Sequence, residues 1–424
     1  MLTAISRYGA RVLPDTQQRL AALAARGQLA EGPHVTAFEA AFARRIGVPH
    51  ATATSYGRMA FLHLLRAFEL PAGGEIVFPA LTFWVIPELA RAAGLRPVFA
   101  DVDPDTFALD PASLERVITR DTCAVVPTHL WGLPCDMEAI TGIAREHGLI
   151  VIEDCAHALG ATYRGQAVGT FGDAGFFSFQ TLKPLNTYGG GMAVTRHAQI
   201  AERVREQVAH LPPPSVADVQ RRFFFGRVER IAIRPRIFTW TLFPVLWAAS
   251  WSSARPDVYL WERIRPLDQL PESYLQRYSN AQAAIGLAGL EQLAAWTDAS
   301  RAHAVRLDRA LGRHRGVTVP LRPTDREHTF YQYCIYADNR DSVVRRALRR
   351  GVDLESLHVD LCSSLPLFAS CRRDRTPGAD HAAEAIQVPV YASLTDAECE
   401  RVIDVLIRMS SPEAHVAPGV VRPR

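Results

Sequence analysis

The sequence lacks the cysteine patterns that mark disulfide frameworks and structural zinc sites. Its seven cysteines form no CxxC pair and stand singly, at Cys123, Cys135, Cys155, Cys334, Cys362, Cys371 and Cys399. An odd, dispersed set argues against both kinds of site and is typical of a reducing cytosol. We therefore expect no metal and a cytoplasmic location.

Strong charge, signal-peptide character and internal repeats are also missing. The net charge of +3 over 424 residues is too small to indicate nucleic-acid binding by itself, so no nucleic-acid partner is expected. Residues 1–15 contain no apolar core of signal-peptide length, which predicts that the protein is not secreted. The hydrophobic fraction of 48% is that of an ordinary folded chain, long enough for two domains.

Apolar residues alternate between strand and helix spacing along the first half of the chain. The spacing predicts strands at 51–54, 75–78, 97–100, 123–128, 149–152 and 174–179. It predicts helices at 15–26, 35–46, 59–68 and 137–146, with others after Pro79 and near Leu114. Strands that alternate with helices form right-handed crossovers and a mostly parallel sheet covered on both faces. The predicted fold class is therefore α/β.

A smaller αβ unit is predicted towards the C-terminal end. A periodic helix at 280–296 is followed by strands at 331–336 and 385–388 and by helices at 342–350 and 397–409. We predict a large domain over residues 1–300 and a small domain over 301–424 that closes over the site.

The segment from about 209 to 271 interrupts this pattern. It contains the run IFTWTLFPVLWAASW at 237–251, with arginines on both sides. The run is shorter than the roughly 20 apolar residues of a bilayer span, and Pro244 interrupts it. Three interpretations stay open: a lid or dimer-interface helix pair, a basic amphipathic surface that contacts a membrane through about 221–265, or a cover for a lipophilic substrate.

Polar residues gather at the predicted carboxyl ends of the strands, where open parallel sheets bind ligands. Ser55, Thr82, His129 and Asp154 all follow predicted strands, which predicts that they surround one site. Gly57 leads from the first strand into a helix, and the free N–H groups of a helix N-terminus attract anions.

The stretch 151–195 is the most informative part of the chain. One strand ends in Asp154, the next, at 174–179, carries Ser178, and Lys183 follows before three glycines at 189–191. A pyridoxal phosphate (PLP) enzyme needs these groups, because the lysine forms a Schiff base and the acid keeps the pyridine nitrogen protonated. Phe83 is placed to stack on a flat ring, with Trp84 as its rival. His157 can stack on the ring or donate to its oxygen.

The sequence resembles the DegT/StrS-type PLP-dependent sugar aminotransferases. The resemblance covers nearly the whole chain except the aromatic segment, and these motifs carry it: GQLAEGPHVTAFE, FPALTFW, PVFADVDPDTFALDP, PTHLWGLPCDM, IEDCAHALGATYRGQAVGTFGDAGFFSF, SLHVDLCSSLPLF and VPVYASLTDAECERVIDVL. It implies a fold-type I PLP transferase, with a mostly parallel, seven-stranded type of sheet in the large domain. It also implies a homodimer with shared active sites.

The resemblance implies roles for individual residues. Lys183 matches the lysine that carries the cofactor and shuttles protons, and His358 aligns with a histidine of the substrate pocket. The cofactor-binding positions are Gly57, Arg58, Phe83, Asp154, His157 and Ser178.

Two positions depart from the family pattern. Tyr56-Gly57-Arg58 stands where the family has Ser-Gly-Thr, and Leu275 stands where it has an Asn two residues before Arg277. We hypothesise that Arg58 replaces the missing contacts with a charge-assisted pair to the cofactor phosphate.

The predicted reaction is a ping-pong transamination from glutamate or glutamine to a keto-sugar on a nucleotide. The alternatives are a PLP enzyme acting on a lipophilic or lipid-linked ketone, and a PLP-binding protein on a membrane surface.

Overall fold

The computed structural model describes residues 3–9, 11, 13–251, 264–356 and 359–410. Its helices are, in chain order, α1 (Thr16–Ala25), α2 (His34–Ile46), α3 (Gly57–Phe68), α4 (Val85–Ala92), α5 (Pro111–Val117), α6 (Met137–His147), α7 (Ala198–Ala209), α8 (Val216–Ala232), α9 (Pro235–Trp240), α10 (Leu242–Ala249), α11 (Asn280–Leu311), α12 (Arg340–Arg349), α13 (Pro377–Ala382) and α14 (Asp396–Ser410).

The strands alternate with these helices as the sequence predicts. They are β1 (His50–Thr54), β2 (Glu75–Pro79), β3 (Leu81–Thr82), β4 (Arg96–Ala100), β5 (Thr122–Val125), β6 (Ile150–Asp154), β7 (Thr162–Tyr163), β8 (Gln166–Ala167), β9 (Ala174–Ser178), β10 (Gly191–Thr195), β11 (Val317–Thr318), β12 (Arg326–Glu327), β13 (Tyr333–Ala337), β14 (Asp360–Leu361), β15 (Arg372–Arg373) and β16 (Ile386–Val388).

The central sheet has the strand order β1-β10-β9-β6-β5-β2-β4-β15. Among its described strands only β10 runs against the others, pairing antiparallel with both β1 and β9. The predicted α/β class and mostly parallel sheet are therefore confirmed. The eighth strand, β15, is a two-residue edge strand from the C-terminal part of the chain.

Helices cover the sheet because its strands are apolar on both faces. Every residue of β2 and β10 is buried. Helix α3 has buried residues along nearly its whole length and packs on β9 and β10. Helix α2 packs against α11 and against β1, the strand at one edge of the sheet. The packing of α3 on β9 places the start of this helix beside the strand end where the site is built.

The C-terminal part has its own core around the three-stranded antiparallel sheet β11-β13-β16. Helices α12 and α14 pack on it, and Ile5 from the start of the chain is buried among the same residues. Ile5 also forms a bridge with Val352. The N-terminal residues therefore belong to this core, which the sequence pattern does not predict.

Helix α11 is longer than the predicted 280–296 and runs for 32 residues. Beyond Trp296 the buried residues Ser300, Ala304, Leu307 and Leu311 keep helical spacing, and no Gly or Pro interrupts them. The domain boundary predicted at residue 300 falls inside this helix, and the division of the chain at that position stays a prediction.

The described part of the aromatic segment, up to residue 251, contains the helices α8, α9 and α10. Helix α8 turns Val219, Phe223, Gly226 and Arg230 inwards, and Gly226 lies so close to Tyr188 that an added Cβ would fall 2.3 Å from its ring. None of the helices in the described ranges is both long enough and apolar enough to cross a membrane.

Candidate active site

A cavity of about 1580 Å³ opens at the carboxyl ends of β6 and β9. It is lined by Lys183 and by all six predicted cofactor-binding residues: Gly57, Arg58, Phe83, Asp154, His157 and Ser178. The structure thus brings these seven residues together, while their individual roles stay predictions. The predicted substrate residue His358 lies outside the described residues.

Burial and neighbouring charges shift the pKa values of Lys183 and Asp154. Asp154 is buried at the end of β6, where its Oδ1 accepts a 3.0 Å hydrogen bond from the Ala156 N–H. Burial raises the pKa of its carboxyl to about 6, against the Ala156 N–H and the charge of Lys183. Loss of hydration lowers the pKa of the Lys183 amine to about 8; Arg58 acts in the same direction, whereas Asp154 and Glu355 oppose it. An amine with such a pKa can gain and lose a proton near neutral pH.

Lys183 is the only lysine in the 424-residue chain. Apart from the histidines, all other basic side chains are arginines, which stay protonated in proteins. This count was not used in predicting the site from the sequence, although it means that Lys183 has the only ε-amine that can form a Schiff base.

The N-terminus of α3 lies at one end of the cavity. Its N-cap residue, Tyr56, makes no side-chain capping bond. An added Cβ on Gly57 would lie 2.8 Å from Cβ of Ser178 and 2.9 Å from the Phe177 carbonyl oxygen. Only glycine therefore lets the helix start approach the end of β9, and the Ser178 hydroxyl comes to the same place. Helix N-terminal N–H groups and a hydroxyl are suited to a phosphate.

Arg58 is buried within a group of aromatic rings beside this helix start. Its guanidinium carbon lies 5.3 Å from the Phe83 ring centre, 5.2 Å from that of Tyr274 and 5.8 Å from that of Tyr56. Its Nη1 also donates to the Tyr274 hydroxyl. These contacts hold the cation in place inside the cavity wall.

A second cation, Arg222 of α8, reaches the same end of the cavity. Its guanidinium carbon lies 5.0 Å from the Tyr56 ring centre, and Nη2 donates to the Tyr56 hydroxyl at 3.4 Å. Two guanidinium groups that flank one ring provide positive charge for an anion. Sequence reasoning missed Arg222 because it belongs to the atypical segment.

The aromatic residues predicted to stack on the cofactor ring differ in whether they line the cavity. Phe83 is half-buried and lines the cavity, whereas Trp84 is buried in the core behind it. The His157 ring stacks on Tyr331, with ring centres 4.2 Å apart, and on Trp131 at 5.9 Å. Tyr331 also lies under Lys183, whose Nζ is 5.0 Å from the ring centre.

The prediction that all polar strand-end residues face the site is wrong for Ser55, Thr82 and His129, which are buried and do not line the cavity. Ser55 Oγ donates to the Tyr274 carbonyl at 2.6 Å. Thr82 Oγ1 lies 3.2 Å from Oγ1 of Thr128, which lines the cavity instead. These hydroxyls satisfy buried backbone and side-chain groups, as buried polar groups generally must.

His129 belongs to a buried network beneath the site. Its Nδ1 accepts from the Cys135 N–H at 3.0 Å, so Nε2 carries the hydrogen and donates to Glu153 at 3.0 Å. Glu153 also accepts from the N–H groups of residues 169, 171 and 172 at 2.7–2.8 Å. The His129 N–H donates to the Asp154 carbonyl at 3.0 Å. The network therefore positions the end of β6.

The N-terminal residues close the cavity from the side of the C-terminal part. Arg7 forms a buried pair with Asp353, with an Nη2–Oδ1 distance of 2.7 Å. Tyr8 donates from its hydroxyl to Glu355, and Gln332 donates to the same carboxylate at 3.3 Å. Both pairs line the cavity. No sequence pattern predicts them, because their members are more than 300 residues apart.

Comparison with known proteins adds independent evidence. A model of the "DegT/DnrJ/EryC1/StrS aminotransferase family" matches residues 12–223 and 261–407. The unmatched stretch between them, 224–260, holds the second half of α8 together with α9 and α10.

Individual relatives match over most of their length. UDP-N-acetyl-3-dehydro-alpha-D-glucosamine 3-aminotransferase of Acidithiobacillus ferrooxidans is 31% identical over 88% of this chain and 87% of its own. GDP-perosamine synthase of Caulobacter vibrioides is 31% identical over 88% of this chain and 90% of its own. The solved structure of the sugar aminotransferase CalS13 from Micromonospora echinospora is similar as well, with 26% sequence identity and a TM-score of 0.75. The match covers 95% of this chain and 99% of the CalS13 chain.

Proposed function

Because this chain belongs to the DegT/DnrJ/EryC1/StrS aminotransferase family and is a PLP-dependent aminotransferase, we propose that it moves an amino group from glutamate or glutamine to a keto-sugar. The observation that carries the proposal is the convergence of Lys183, Asp154 and the α3 N-terminus on one cavity. The amino donor reacts first and leaves as its 2-oxo acid, and the keto-sugar then enters the same cavity.

The residues of the cavity fit PLP. Lys183 is the attachment point, and Asp154 is assigned to the pyridine nitrogen. The other assignments follow from position: Phe83 and His157 to the ring, and Gly57, Arg58 and Ser178 to the phosphate. PLP, when bound, supplies an electron sink for the carbon that carries the amino group.

Lys183 is assigned the proton transfers as well. Its Nζ accepts a proton from the substrate carbon and returns a proton in the second half-reaction. Since burial lowers the pKa of this amine to about 8, both the neutral and the charged forms are accessible near neutral pH, as a general acid and base requires.

The keto-sugar could be attached to either of two carriers, a nucleotide or a lipophilic group. The relatives named above carry UDP and GDP in their names, which supports a nucleotide. The apolar helices α8–α10 beside the cavity support a lipophilic carrier. The assignment of His358 to the substrate pocket rests on the family resemblance.

The finer statements about partners and location are proposals as well. We propose a homodimer, since the resemblance implies active sites shared between two copies. We also propose a cytoplasmic location, with a peripheral membrane contact through about residues 221–265. Exposed apolar side chains and arginines in that range support the contact.

The single lysine allows a direct test of the site. PLP should give the protein an absorbance band that falls when L-glutamate is added, and borohydride should fix PLP to one peptide, the one that contains Lys183. The variant Lys183→Arg should lose the band and the label, and its transamination rate should fall to background. As a control, Arg66→Lys adds a second lysine on the exposed end of α3 and should leave the label at position 183. A colourless protein, or a label elsewhere, would overturn the proposal.

The acceptor is tested with the aminated form of the cofactor. After treatment with L-glutamate, the protein should regain the original band when a UDP-linked or GDP-linked keto-sugar is added, if a nucleotide is the carrier. Recovery with simple 2-oxo acids alone would contradict the keto-sugar assignment.

A further inference from the structure

We infer that the outer surface of α8–α10 docks on an anionic lipid membrane and that the keto-sugar reaches the cavity on a lipid carrier. The inference rests on the proposed aminotransfer and names the carrier that it leaves open. The surface, called the apolar face below, consists of the exposed large apolar side chains of this segment: Val216, Phe224, Phe225, Val228, Ile237, Trp240, Leu242, Val245, Trp247 and Trp251.

The exposure of the apolar face is unusual for a protein surface. Helix α10, with the sequence LFPVLWAA, contains no buried residue. Trp240 is 69% exposed, Val245 64% and Trp251 63%. A helix that is apolar all round is normally buried, and large exposed apolar patches mark interaction sites. Most exposed large apolar residues of the described ranges lie in this one segment.

The apolar face is anchored to the body of the protein. Phe238 is buried, and the neighbouring Thr239 Oγ1 accepts from the Ala4 N–H at 2.7 Å. At the other end, Arg349 donates to the Ser250 carbonyl at 2.6 Å and lies 3.8 Å from the centre of the Trp251 ring. The helices are therefore held in place while their apolar side chains point outwards.

The charge around the apolar face matches anionic lipid headgroups. Residues 216–251, which span the face, contain six arginines against the two acidic residues Asp218 and Glu229, and Arg227, Arg234 and Arg236 are exposed. Arginine and tryptophan beside an apolar helix are typical of segments that lie in the membrane interface. A two-fold dimer through this face would bring two copies of the same arginine-rich patch together, because such an interface uses the same surface on both subunits. The charge therefore favours a membrane over a second copy.

The apolar face is continuous with the active-site cavity. Phe225, Val228, Leu242 and Val245 are at least 44% exposed and also line the cavity. On this side the cavity opens through an apolar rim, so a lipid chain can lie along the rim while its polar head reaches Lys183. The rim falls in residues 224–260, which the family model does not match, so the family resemblance does not account for it.

Vesicle binding tests the docking surface. The full-length holoenzyme should sediment with vesicles of phosphatidylcholine and phosphatidylglycerol, and less with phosphatidylcholine alone or at high salt. Trp240→Ser should lower the vesicle affinity by about tenfold, because it removes an exposed aromatic anchor. Leu321→Ser is the matched control: Leu321 is 66% exposed but lies outside the apolar face, so its vesicle affinity should equal that of the wild type.

Calorimetry with two diphosphates tests the carrier. Farnesyl diphosphate, a lipid diphosphate, should bind the holoenzyme at least about tenfold more tightly than UDP. Val245→Asp places a charge on the apolar rim and should remove most of that difference, whereas Leu321→Asp should keep it. UDP that binds as tightly as farnesyl diphosphate would overturn the lipid carrier.

The outcomes separate this inference from the proposed function. A holoenzyme that responds to L-glutamate but binds no anionic vesicles overturns the inference and leaves the aminotransfer intact. A holoenzyme that ignores L-glutamate overturns the aminotransfer whatever the vesicles show. If Trp240→Ser changes the self-association measured by sedimentation velocity and not the vesicle affinity, the apolar face is a dimer interface and the inference is wrong.

Discussion

The protonation state of Lys183 decides when the protein takes up its cofactor. Its Nζ attacks an aldehyde only as the neutral amine, and burial lowers its pKa to about 8 from the ordinary value of 10.5. Because the neutral form prevails above the pKa, the rate of PLP capture by cofactor-free protein should reach half its maximum near pH 8. Stopped-flow absorbance across a pH series measures this midpoint.

Two substitutions should move this midpoint in opposite directions. Glu355 raises the pKa of Lys183 and Arg58 lowers it. Glu355→Gln should therefore shift the midpoint of PLP capture to lower pH, and Arg58→Met should shift it to higher pH. Midpoints that stay at the wild-type value in both variants would show that these charges do not act on the amine.

Arg58 is also predicted to bind the cofactor phosphate. A charge-assisted hydrogen bond is worth about 1.5–3 kcal/mol, so Arg58→Ala should weaken PLP affinity by about 10–100-fold. It should also abolish protection of the cofactor-free protein by inorganic phosphate against thermal unfolding. Arg66→Ala, an exposed arginine at the other end of α3, serves as the control. Unaltered PLP affinity in Arg58→Ala would refute the assignment.

At the scale of the elements, the approach of α3 to β9 depends on one glycine. Gly57→Ala would bring a methyl group within 2.9 Å of the Phe177 carbonyl oxygen, so the helix start must move away from Ser178. We expect weaker PLP binding and a free energy of unfolding lower by about 1–3 kcal/mol, the cost of overpacking.

A second helical glycine provides the comparison. Gly142 lies inside α6, and an added Cβ there meets nothing within 4 Å. Gly142→Ala should therefore stabilise the protein by about 0.5–1 kcal/mol, since alanine has the higher helix propensity. Urea denaturation of both variants measures the contrast, and equal effects would contradict the packing argument.

For the molecule as a whole, the buried pair of Arg7 and Asp353 joins the N-terminal residues to the C-terminal part of the structure. Asp353→Asn removes the carboxylate that pairs with the buried Arg7 guanidinium, which should lower the free energy of unfolding by about 3–5 kcal/mol. The exposed pair of Arg19 and Asp15, with an Nη2–Oδ2 distance of 2.7 Å, is the control. Asp15→Asn should leave the urea midpoint within experimental error. A small effect at Asp353 would mean that water or other groups solvate Arg7.

Much of the fold could be predicted because its signals are local. The spacing of apolar residues in β1, β2, β6 and β9 and in α2 and α3 is regular, and these elements form where the spacing indicates. The length of α11 was underestimated, because its second half is less apolar, although its buried residues keep helical spacing and it packs on α14. The helix ends at Leu311, and its C-cap residue is Gly312, which is a local stop signal.

Some residues of the candidate site could be predicted from local patterns and others could not. Asp154, Ser178 and Lys183 lie close together in sequence and follow strands, so their convergence could be predicted. Tyr331 and Glu355 reach the cavity from elements more than 140 residues away, and short-range patterns carry no information on such contacts. His129 shows the converse, because its position at a strand end is right while its hydrogen bonds turn it away from the cavity.

The long-range closure of the cavity has a consequence for biosynthesis. Arg7 and Tyr8 leave the ribosome long before their partners Asp353 and Glu355, which are made 346 and 347 residues later. A nascent chain therefore carries an active site with one wall missing for most of its translation, since domains fold as they emerge. We therefore expect the chain to bind PLP only when its synthesis is nearly complete, and truncated translation products should be unable to retain PLP.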